Sequence, residues 1–387
     1  MKKIDKGTLV AFILLFAFTS LQKLEAQGRA RIMDTDTVTN SLIRQLREKT
    51  SEIFHDPAPP RFVMIDKSER FLFGMGGYAA CYGTGFLSRD MSAVLIPTES
   101  YKLRGGRFNL DASGSRLFFK LIGDTSIGKL EAYIEGGFSG EGYTFSLKHA
   151  YVEIRHLLIG HTWSNIMDLR AAPATVDGAG PGGMNGLRQP QFRYGWRWTN
   201  GISCFASLED PEVTMLKALV TGTNDVHIME QRFPDLIVSL GYEKPSWHLR
   251  LAGVLRFLEK QRGYGLAFSG NASLTRRDEI KFQVTGGAGI GHYIQDLGGM
   301  GYDVYIQRDG SYDKFTALGY YAAYEHHWSE KCFSGLVYSQ VYVQPFEQAP
   351  GFICHHTNYA AVNTFLDIYE HGQLGMEGVY GNRVNLD

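Results

Sequence analysis

Long stretches of this sequence alternate strictly between apolar residues and polar or small ones. The alternation runs through 248–257, 264–274 and 280–290. Successive side chains of a β-strand point to opposite faces, so each stretch predicts a strand with one apolar and one polar face. A tilted strand needs about 9–11 residues to cross a bilayer, whereas strands of soluble proteins average about 5–6 residues. The length of these stretches favours an all-β chain that forms a transmembrane antiparallel β-barrel.

The segment 191–198 shows the same alternation with aromatic and cationic residues. One face carries Phe192, Tyr194, Trp196 and Trp198, and the other carries Gln191, Arg193, Gly195 and Arg197. In a soluble sheet the aromatic face would pack into a core. In an outer-membrane barrel it would contact lipid, and the arginines would face water.

About fifteen strands can be placed along the chain. They are 70–79, 114–122, 129–138, 145–154, 157–164, 191–199, 201–209, 235–243, 247–257, 264–274, 279–290, 314–327, 332–343, 356–368 and 372–382. A single-chain bacterial barrel has an even number of strands. The odd count therefore predicts a barrel of about sixteen strands whose closing strand is missing from this sequence, unless the count is off by one.

The connections between these strands are of two kinds. Those after even-numbered strands are short, whereas most of those after odd-numbered strands are long, namely 80–113, 165–190, 210–234, 291–313 and 344–355. Short turns at one rim and long loops at the other are typical of bacterial barrels. Four of the five tryptophans lie near the short turns, where an aromatic girdle is expected. A soluble exported β-sandwich is the alternative, but it gives no reason for this asymmetry.

The part of the chain before residue 62 differs from the remainder. Three early lysines, an apolar run over 9–18 and the triplet Leu24-Glu25-Ala26 predict a secretory signal over 1–26. The segment 27–61 has apolar residues at roughly helical spacing, followed by a proline-rich stretch. It predicts a short periplasmic helix and a stiff linker, with a disordered tether as the alternative. The barrel domain is predicted over 62–387.

The chain resembles the DcaP-type trimeric porins of the outer membrane. The resemblance is carried, in order over roughly 65–387, by Gly160-His161-Thr162-Trp163-Ser164 with Met167-Asp168, Arg188-Gln189-Pro190-Gln191-Phe192-Arg193-Tyr194, Glu209-Asp210-Pro211-Glu212, Pro234-Asp235-Leu236 and Gly375-Met376-Glu377-Gly378-Val379-Tyr380-Gly381-Asn382-Arg383. The chain departs from the family at His161, where Gln is usual, and at Asp210, where Asn is usual. The resemblance implies a sixteen-stranded barrel, a homotrimer, a third loop folded into the lumen, an N-terminal helix over 37–54 and a preference for small anionic solutes.

The connection 165–190, the third of those that follow odd-numbered strands, is the candidate constriction of a pore. Its several glycines let the backbone turn back on itself. The residues predicted to line the pore are Asp168, Arg170, Asp177, Arg188, Arg193, Arg197, Arg250, Arg256, Lys281 and Glu135. Arginine binds carboxylates bidentately, so the hypothesis is that the arginines favour carboxylate-bearing solutes. The alternatives are an ordinary surface loop and charges that only keep the wall hydrated.

Other motifs do not indicate an enzyme, a metal site or a cofactor. Gly123–Lys129 resembles a phosphate loop, but Leu130 stands where Ser or Thr is needed and a strand follows. The pairs His326-His327 and His355-His356 suggest a metal site, but adjacent histidines on a strand point to opposite faces and cannot easily chelate together, and Cys354 beside His355 in an outer connection is only a weak signal. A net charge of −1 argues against a nucleic-acid partner. The sequence predicts an exported Gram-negative outer-membrane porin for small hydrophilic, anionic solutes; a barrel that acts as a surface-binding or structural module without an open pore is the alternative.

Overall fold

The computed structural model describes residues 9–18, 62–65, 70–86, 108–229, 231, 233–258, 261–369 and 372–386, which are almost entirely β-structure. The strands are β1 (Leu9–Phe18), β2 (Phe62–Ile65), β3 (Phe71–Phe86), β4 (Phe108–Asp111), β5 (Arg116–Thr125), β6 (Gly128–Gly137), β7 (Ser146–Ile154), β8 (Leu157–Trp163), β9 (Arg188–Arg197), β10 (Ile202–Glu209), β11 (Val213–Leu216), β12 (Val226–Met229), β13 (Asp235–Lys244), β14 (Trp247–Leu258), β15 (Gln261–Ser273), β16 (Asp278–Ala288), β17 (Val304–Ile306), β18 (Tyr312–Lys314), β19 (Thr316–His327), β20 (Cys332–Val343), β21 (Cys354–Tyr369) and β22 (Gly372–Asn385). Helical structure in these residues consists of one short helix, α1 (Ala218–Thr221), and two 3-10 turns, Glu141–Tyr143 and Gly291–Tyr293. None of these helices is long and apolar enough to cross a membrane.

Antiparallel pairing joins the long strands in chain order into one sheet. β3 pairs with β5, and the sheet continues through β6–β10, β13–β16 and β19–β22. All the strands predicted from the alternation are confirmed, and most of their ends agree within about three residues. The largest difference is at β3, which extends to Phe86. The predicted strand ended at residue 79 because the alternation weakens in the glycine-rich stretch that follows.

The place between the first and the last of these strands is occupied by β1. Leu9 lies opposite Gly381 of β22, and Ala11 lies opposite Phe86 of β3, with antiparallel pairing on both sides. β1 thus pairs with backbone N–H and C=O groups of two strands that would otherwise present edges. The sequence analysis placed residues 9–18 in a secretory signal and expected the closing strand to be missing from this sequence; in the structure residues 9–18 form a strand at this place, and the signal stays a prediction. The predicted helix over 37–54 lies outside the described residues.

The two faces of the sheet differ as the alternation predicted. In β9, Phe192 and Tyr194 are 59% and 56% exposed, whereas Gln191 and Arg193 are 4% and 0% exposed. The aromatic face is therefore the outer, lipid-facing side of the barrel wall, as in other outer-membrane barrels. Most of the buried polar and charged side chains lie on the inner face.

The long connections 210–234 and 291–313 contain structure that the sequence did not predict. β11, β12, β17 and β18 form a separate four-stranded sheet, in which β11 pairs with β12 and, in parallel, with β17. Apolar residues of these connections, such as Leu216, Leu297 and Tyr302, pack with inward residues of the barrel wall in one hydrophobic cluster. Short strands with no sustained alternation explain why the pattern was not recognised.

Candidate functional site: the inner loop and the inner wall

The connection between β8 and β9, residues 164–187, lies against the inside of the barrel wall and is called the inner loop below. Its hydrogen bonds reach strands that are far apart in the sheet. The backbone N–H of Asn165 donates to Glu209 of β10 at 2.8 Å, and the N–H of Gly183 donates to Ser339 of β20 at 2.9 Å. The inward fold that the resemblance implied is present in the structure.

The first part of the inner loop is held by Arg250 and Asp168, two of the predicted site residues. Arg250 of β14 donates to backbone carbonyl oxygens of the loop, including that of Asn165. Asp168 accepts hydrogen bonds from His248 Nε2 at 2.9 Å and from Ser269 Oγ at 2.6 Å. Burial alone would raise the pKa of Asp168, but these bonds and the charge of Arg250 outweigh it and lower the pKa to about 2. Both residues hold the loop and are almost fully buried.

The distal part of the inner loop is held by Glu377 of β22. The carboxylate of Glu377 accepts the backbone N–H groups of Val176 at 3.0 Å and of Asp177 at 2.8 Å. It also accepts a hydrogen bond from Asn363 Nδ2 at 2.8 Å. Asp177, predicted to border the constriction, is 1% exposed and accepts the N–H of Ala179 at 3.0 Å. The structure therefore places Asp177 within the packing of the loop against the wall.

Arg256 of β14 is fully buried in an ion network. Its Nε lies 2.8 Å from Asp235 Oδ2, and its Nη1 lies 2.6 Å from Asp303 Oδ1. The same Nη1 donates to the carbonyl of Gly289 at 2.9 Å, and the hydroxyl of Tyr293 donates to Asp235 at 2.7 Å. The network joins the barrel wall to the outer connection 291–303. Arg256 thus faces inward, as predicted, but it is covered by that connection.

Four other predicted residues lie apart from one another. Arg193 is fully buried and donates to Gln191 and to a backbone carbonyl of β8. Arg170 forms an ion pair with Glu243 near the short-turn rim, where both side chains are 44% exposed. Arg197 is exposed at the end of β9 towards the same rim. Lys281 lies on β16 with its Nζ 2.8 Å from a carboxylate oxygen of β19.

Arg188 and Glu135 come together with two cations that the sequence reading missed, Arg116 and Lys148. The four residues lie near the long-loop ends of β5, β6, β7 and β9. Arg116 Nε is 3.9 Å from Glu135 Oε1, and the charges of Arg116 and Glu135 act on both Lys148 and Arg188. All four side chains are only half-buried, so water reaches them. Arg116, Lys148 and Arg188 are called the cation cluster below.

Two aromatic residues orient Arg188. Its guanidinium carbon lies 3.5 Å from the ring centroid of Trp163, and its Nε donates to His149 Nε2 at 3.1 Å. The ring of His149 is itself held by a 2.9 Å hydrogen bond to Thr162. A guanidinium fixed in this way presents its remaining N–H groups as a rigid fork, which suits a carboxylate.

Of the two missed cations, Arg116 could have been identified from the sequence pattern, whereas Lys148 could not. Arg116 is four residues before Lys120 on β5 and so lies on the same face, where Lys120 is buried; the alternation could therefore have identified Arg116. Lys148 lies where the pairing of β6 with β7 shifts by one residue between Glu135 and Gly136. Such a bulge interrupts the alternation, and the sequence carries no clear sign of it.

A cavity of about 750 Å³ opens beside Arg188 at the long-loop end of β9. Its lining includes Gln189, Asp210, Glu212, Ile228, Met229, Gln231, His292 and Gln295. His292 Nε2 donates to Gln189 Oε1 at 3.0 Å and so joins two of the walls. Burial and the charge of Arg256 lower the pKa of His292 to about 4, so its ring is neutral at neutral pH. Within the described residues, no group of three or more His, Cys, Asp or Glu side chains is arranged to hold a metal ion.

Comparisons with known proteins agree with this architecture. The family model described as DcaP outer membrane protein matches residues 87–387. The structure is similar to the outer membrane channel DcaP of Acinetobacter baumannii, with a TM-score of 0.70, 15% sequence identity, and coverage of 82% of this chain and 99% of that chain. It is also similar to OmpT, an outer membrane protein of Vibrio cholerae, with a TM-score of 0.51, 8% identity, and coverage of 82% of this chain and 100% of that chain. Curated proteins give no match to the sequence.

The family of this chain is identified by the family match and not by the similar structures. At 15% and 8% identity, the solved structures show the fold alone. The family match instead spans most of the barrel domain, from residue 87 to residue 387. The location in the outer membrane of Gram-negative bacteria follows from it. This chain belongs to the DcaP outer membrane protein family.

Proposed function

We propose that this protein is a porin through which small hydrophilic solutes diffuse across the outer membrane, with a preference for carboxylate anions. The observation that carries the proposal is the cation cluster. Arg116 and Lys148 lie on β5 and β7, and Arg188 begins β9, whereas the inner loop is bonded to Glu209 of β10, Ser339 of β20 and Glu377 of β22. The side chains of the three cations are half-buried, and the guanidinium of Arg188 is held in one orientation against the ring of Trp163. A solute that passes between the inner loop and this wall meets these charges.

The size of the expected preference follows from electrostatics. At the dielectric constant of water, a unit charge roughly 6 Å from a monoanion attracts it by about 0.7 kcal/mol. Glu135 lies 3.9 Å from Arg116 and offsets about one of the cations. The net attraction is then about 1.4 kcal/mol, which enriches a monoanion roughly tenfold. Salt weakens this attraction, because the Debye length at 0.1 M is only about 10 Å.

Planar-bilayer recordings under a gradient of about 0.1 M salt test the proposal. The wild-type channel is expected to give a reversal potential on the anion side. The triple variant Arg116→Gln, Lys148→Gln, Arg188→Gln is expected to lower the anion-to-cation permeability ratio by at least about tenfold. The matched control Arg276→Gln, Arg277→Gln, Lys331→Gln removes the same number of charges from exposed positions in the short turns. The control is expected to keep the wild-type ratio.

Two outcomes of the same recordings contradict parts of the proposal. Equal shifts in both triple variants would mean that general surface charge, and not the cation cluster, sets the preference. Stable insertion without conductance would favour the alternative, a barrel that serves as a surface-binding or structural module.

The homotrimer belongs to the same proposal. It is supported by the resemblance to trimeric porins and by one solved neighbour, OmpT of Vibrio cholerae described as a trimer form. That neighbour has a TM-score of 0.50 and 7% identity, and the match covers 81% of this chain and 99% of that chain. Three equal conductance steps per insertion are expected, and single steps alone would contradict the trimer.

A further inference from the structure

The cavity beside Arg188 has the dimensions of a ligand site. Its volume of about 750 Å³ falls within the range of roughly 300–1,000 Å³ that is usual for small-molecule pockets. Three segments contribute to its walls: the end of the inner loop with the start of β9, residues 210–212 with 228, 229 and 231, and residues 292, 295, 298 and 299. These walls are tied together, since His292 donates to Gln189 and Gln295 donates to the carbonyl of Ala179. The cavity is therefore part of the packed structure.

Several polar atoms in this cavity have no hydrogen-bond partner within the described residues. The side-chain amide nitrogen and oxygen of Gln231 are both buried and unpaired, and so is Oε1 of Gln295. A buried polar group without a partner costs about 1–3 kcal/mol. A ligand that offers both a hydrogen-bond donor and an acceptor would satisfy these atoms, as a peptide or amide group does.

The cavity also carries charges of both signs. Arg188 is one of the lining residues, its Nε is bonded to His149, and its two terminal nitrogens have no partner within the described residues. Asp210 and Glu212 line the wall that follows β10, and both residues are exposed. The neutral ring of His292 adds no further positive charge. A dianion is repelled by the two carboxylates, whereas a solute with one charge of each sign can pair with Arg188 and with a carboxylate.

From these features we infer that the cavity captures small zwitterions, namely amino acids or short peptides with an apolar side chain. The solute carboxylate binds Arg188, its ammonium group binds Asp210 or Glu212, and its peptide group pairs with Gln231. Ile228 and Met229 contribute an apolar wall for the side chain. The inference rests on the proposed porin function, because it supplies the solute class that the channel takes up.

The size of a dipeptide agrees with this assignment. The charged ends of an extended dipeptide are roughly 7 Å apart. A sphere with the volume of the cavity, about 750 Å³, is roughly 11 Å across, so both ends fit inside it together with one apolar side chain.

Titration calorimetry on the detergent-solubilised full chain tests the inference without requiring conductance. The probes are alanyl-leucine, its N-acetyl form, which lacks the ammonium group, and its C-terminal amide, which lacks the carboxylate. Alanyl-leucine is expected to bind at least about tenfold more tightly than either relative. Equal affinity for the three probes, or no binding of alanyl-leucine, would overturn the inference.

Variants locate the binding to the cavity. Asp210→Asn with Glu212→Gln is expected to lower the affinity for alanyl-leucine to that of the N-acetyl form, while the affinity of the N-acetyl form does not fall. Gln231→Leu is expected to lower the affinity for alanyl-leucine and to leave the order of the three probes unchanged. The control Glu347→Gln removes an exposed carboxylate from another outer connection and is expected to have no effect. An equal loss in the control would overturn the inference.

The bilayer recordings separate this inference from the proposed function. A channel that conducts salt but shows no zwitterion preference in calorimetry retains the proposed function and loses the inference. A chain that binds alanyl-leucine but does not conduct retains the binding site and loses the porin.

Discussion

The inner wall of this barrel is used in two different ways. On β13–β16 and β19–β22, the loop-bearing wall, inward polar groups bind the inner loop, as Glu377 and Ser339 do. On β5–β9, the cation-bearing wall, Arg116 and Lys148 lie near the long-loop rim and are half-buried. Farther from that rim, the second wall is filled by its own aromatic side chains, including Tyr133. The first wall therefore holds the inner loop, and the second carries cations that remain partly exposed.

The contrast shows that charged side chains on the inner face of the barrel can have different surroundings and different partners. Arg250 and Arg188 are both arginines on inner-wall strands. Arg250 is 6% exposed and binds backbone carbonyls of the inner loop, whereas Arg188 lies beside the cavity, and its terminal nitrogens have no partner among the described residues. Whether a loop covers the position decides between the two roles. The predictions below change one side of this comparison at a time.

The largest effect is expected for Arg256→Met, which removes the cation of the buried network on the loop-bearing wall. Asp235 and Asp303 would be left buried without their partner, and such a loss typically costs about 3–5 kcal/mol. We expect the connection 291–303 to detach from the wall and to become sensitive to protease, while the barrel strands stay protected. Limited proteolysis in detergent, with fragment masses, measures this.

The control for this variant is Arg308→Met, which removes an exposed arginine from the same outer connection. It is expected to keep the wild-type protease resistance. Wild-type resistance in Arg256→Met as well would show that the apolar packing of the outer connections holds them in place without the ion network.

A smaller effect is expected for Glu377→Ala, which releases the distal part of the inner loop. The carboxylate accepts hydrogen bonds from Val176, Asp177 and Asn363. Bonds to a charged group contribute about 1.5–3 kcal/mol each and are not additive, so about 2–3 kcal/mol of local stability is expected to be lost. Single-channel recordings should show a larger mean conductance and more current noise.

The matched control is Glu347→Ala in an exposed outer connection, for which the wild-type noise is expected. Glu377→Gln keeps one acceptor oxygen and should lie between wild type and Glu377→Ala. If Glu377→Ala has the conductance and the noise of the wild type, the inner loop does not depend on this wall contact.

The architecture could be predicted from the sequence because alternation records both the strand and its buried face. Strands such as β14, β15 and β16 were found with nearly correct bounds for this reason. The inward direction of Arg250, Arg256 and Lys281 follows from the same rule. The pattern describes each strand by itself, so it gives no information on what lies over the inner face.

The covering of the inner face depends on contacts between distant parts of the chain. Arg250 binds Asn165 across 85 residues, and Glu377 binds Val176 across 201 residues. No local period reports such contacts, and so Asp168 and Asp177 were expected at an open constriction although they are buried. Lys148 escaped the prediction for a local reason, because a bulge in the pairing of β6 and β7 shifts the alternation there.

The smallest effect is a pH dependence of the free energy of unfolding that arises at His292. Its ring joins the connection after β16 to Gln189 of β9, and so links the two walls. Burial and the charge of Arg256 lower the pKa of His292 from its usual 6.5 to about 4. The unfolded chain therefore takes up a proton in this window before the folded chain does, and stability falls as the pH decreases from about 6.5 to about 4. The ring borders the cavity and is only half-buried, so a loss of no more than about 2 kcal/mol is expected. Melting curves of wild type and His292→Gln across this window measure it, because the glutamine amide can still donate to Gln189 but does not titrate. A variant that loses stability as steeply as the wild type between these pH values would assign the dependence to other groups and would leave the junction between the two walls insensitive to pH.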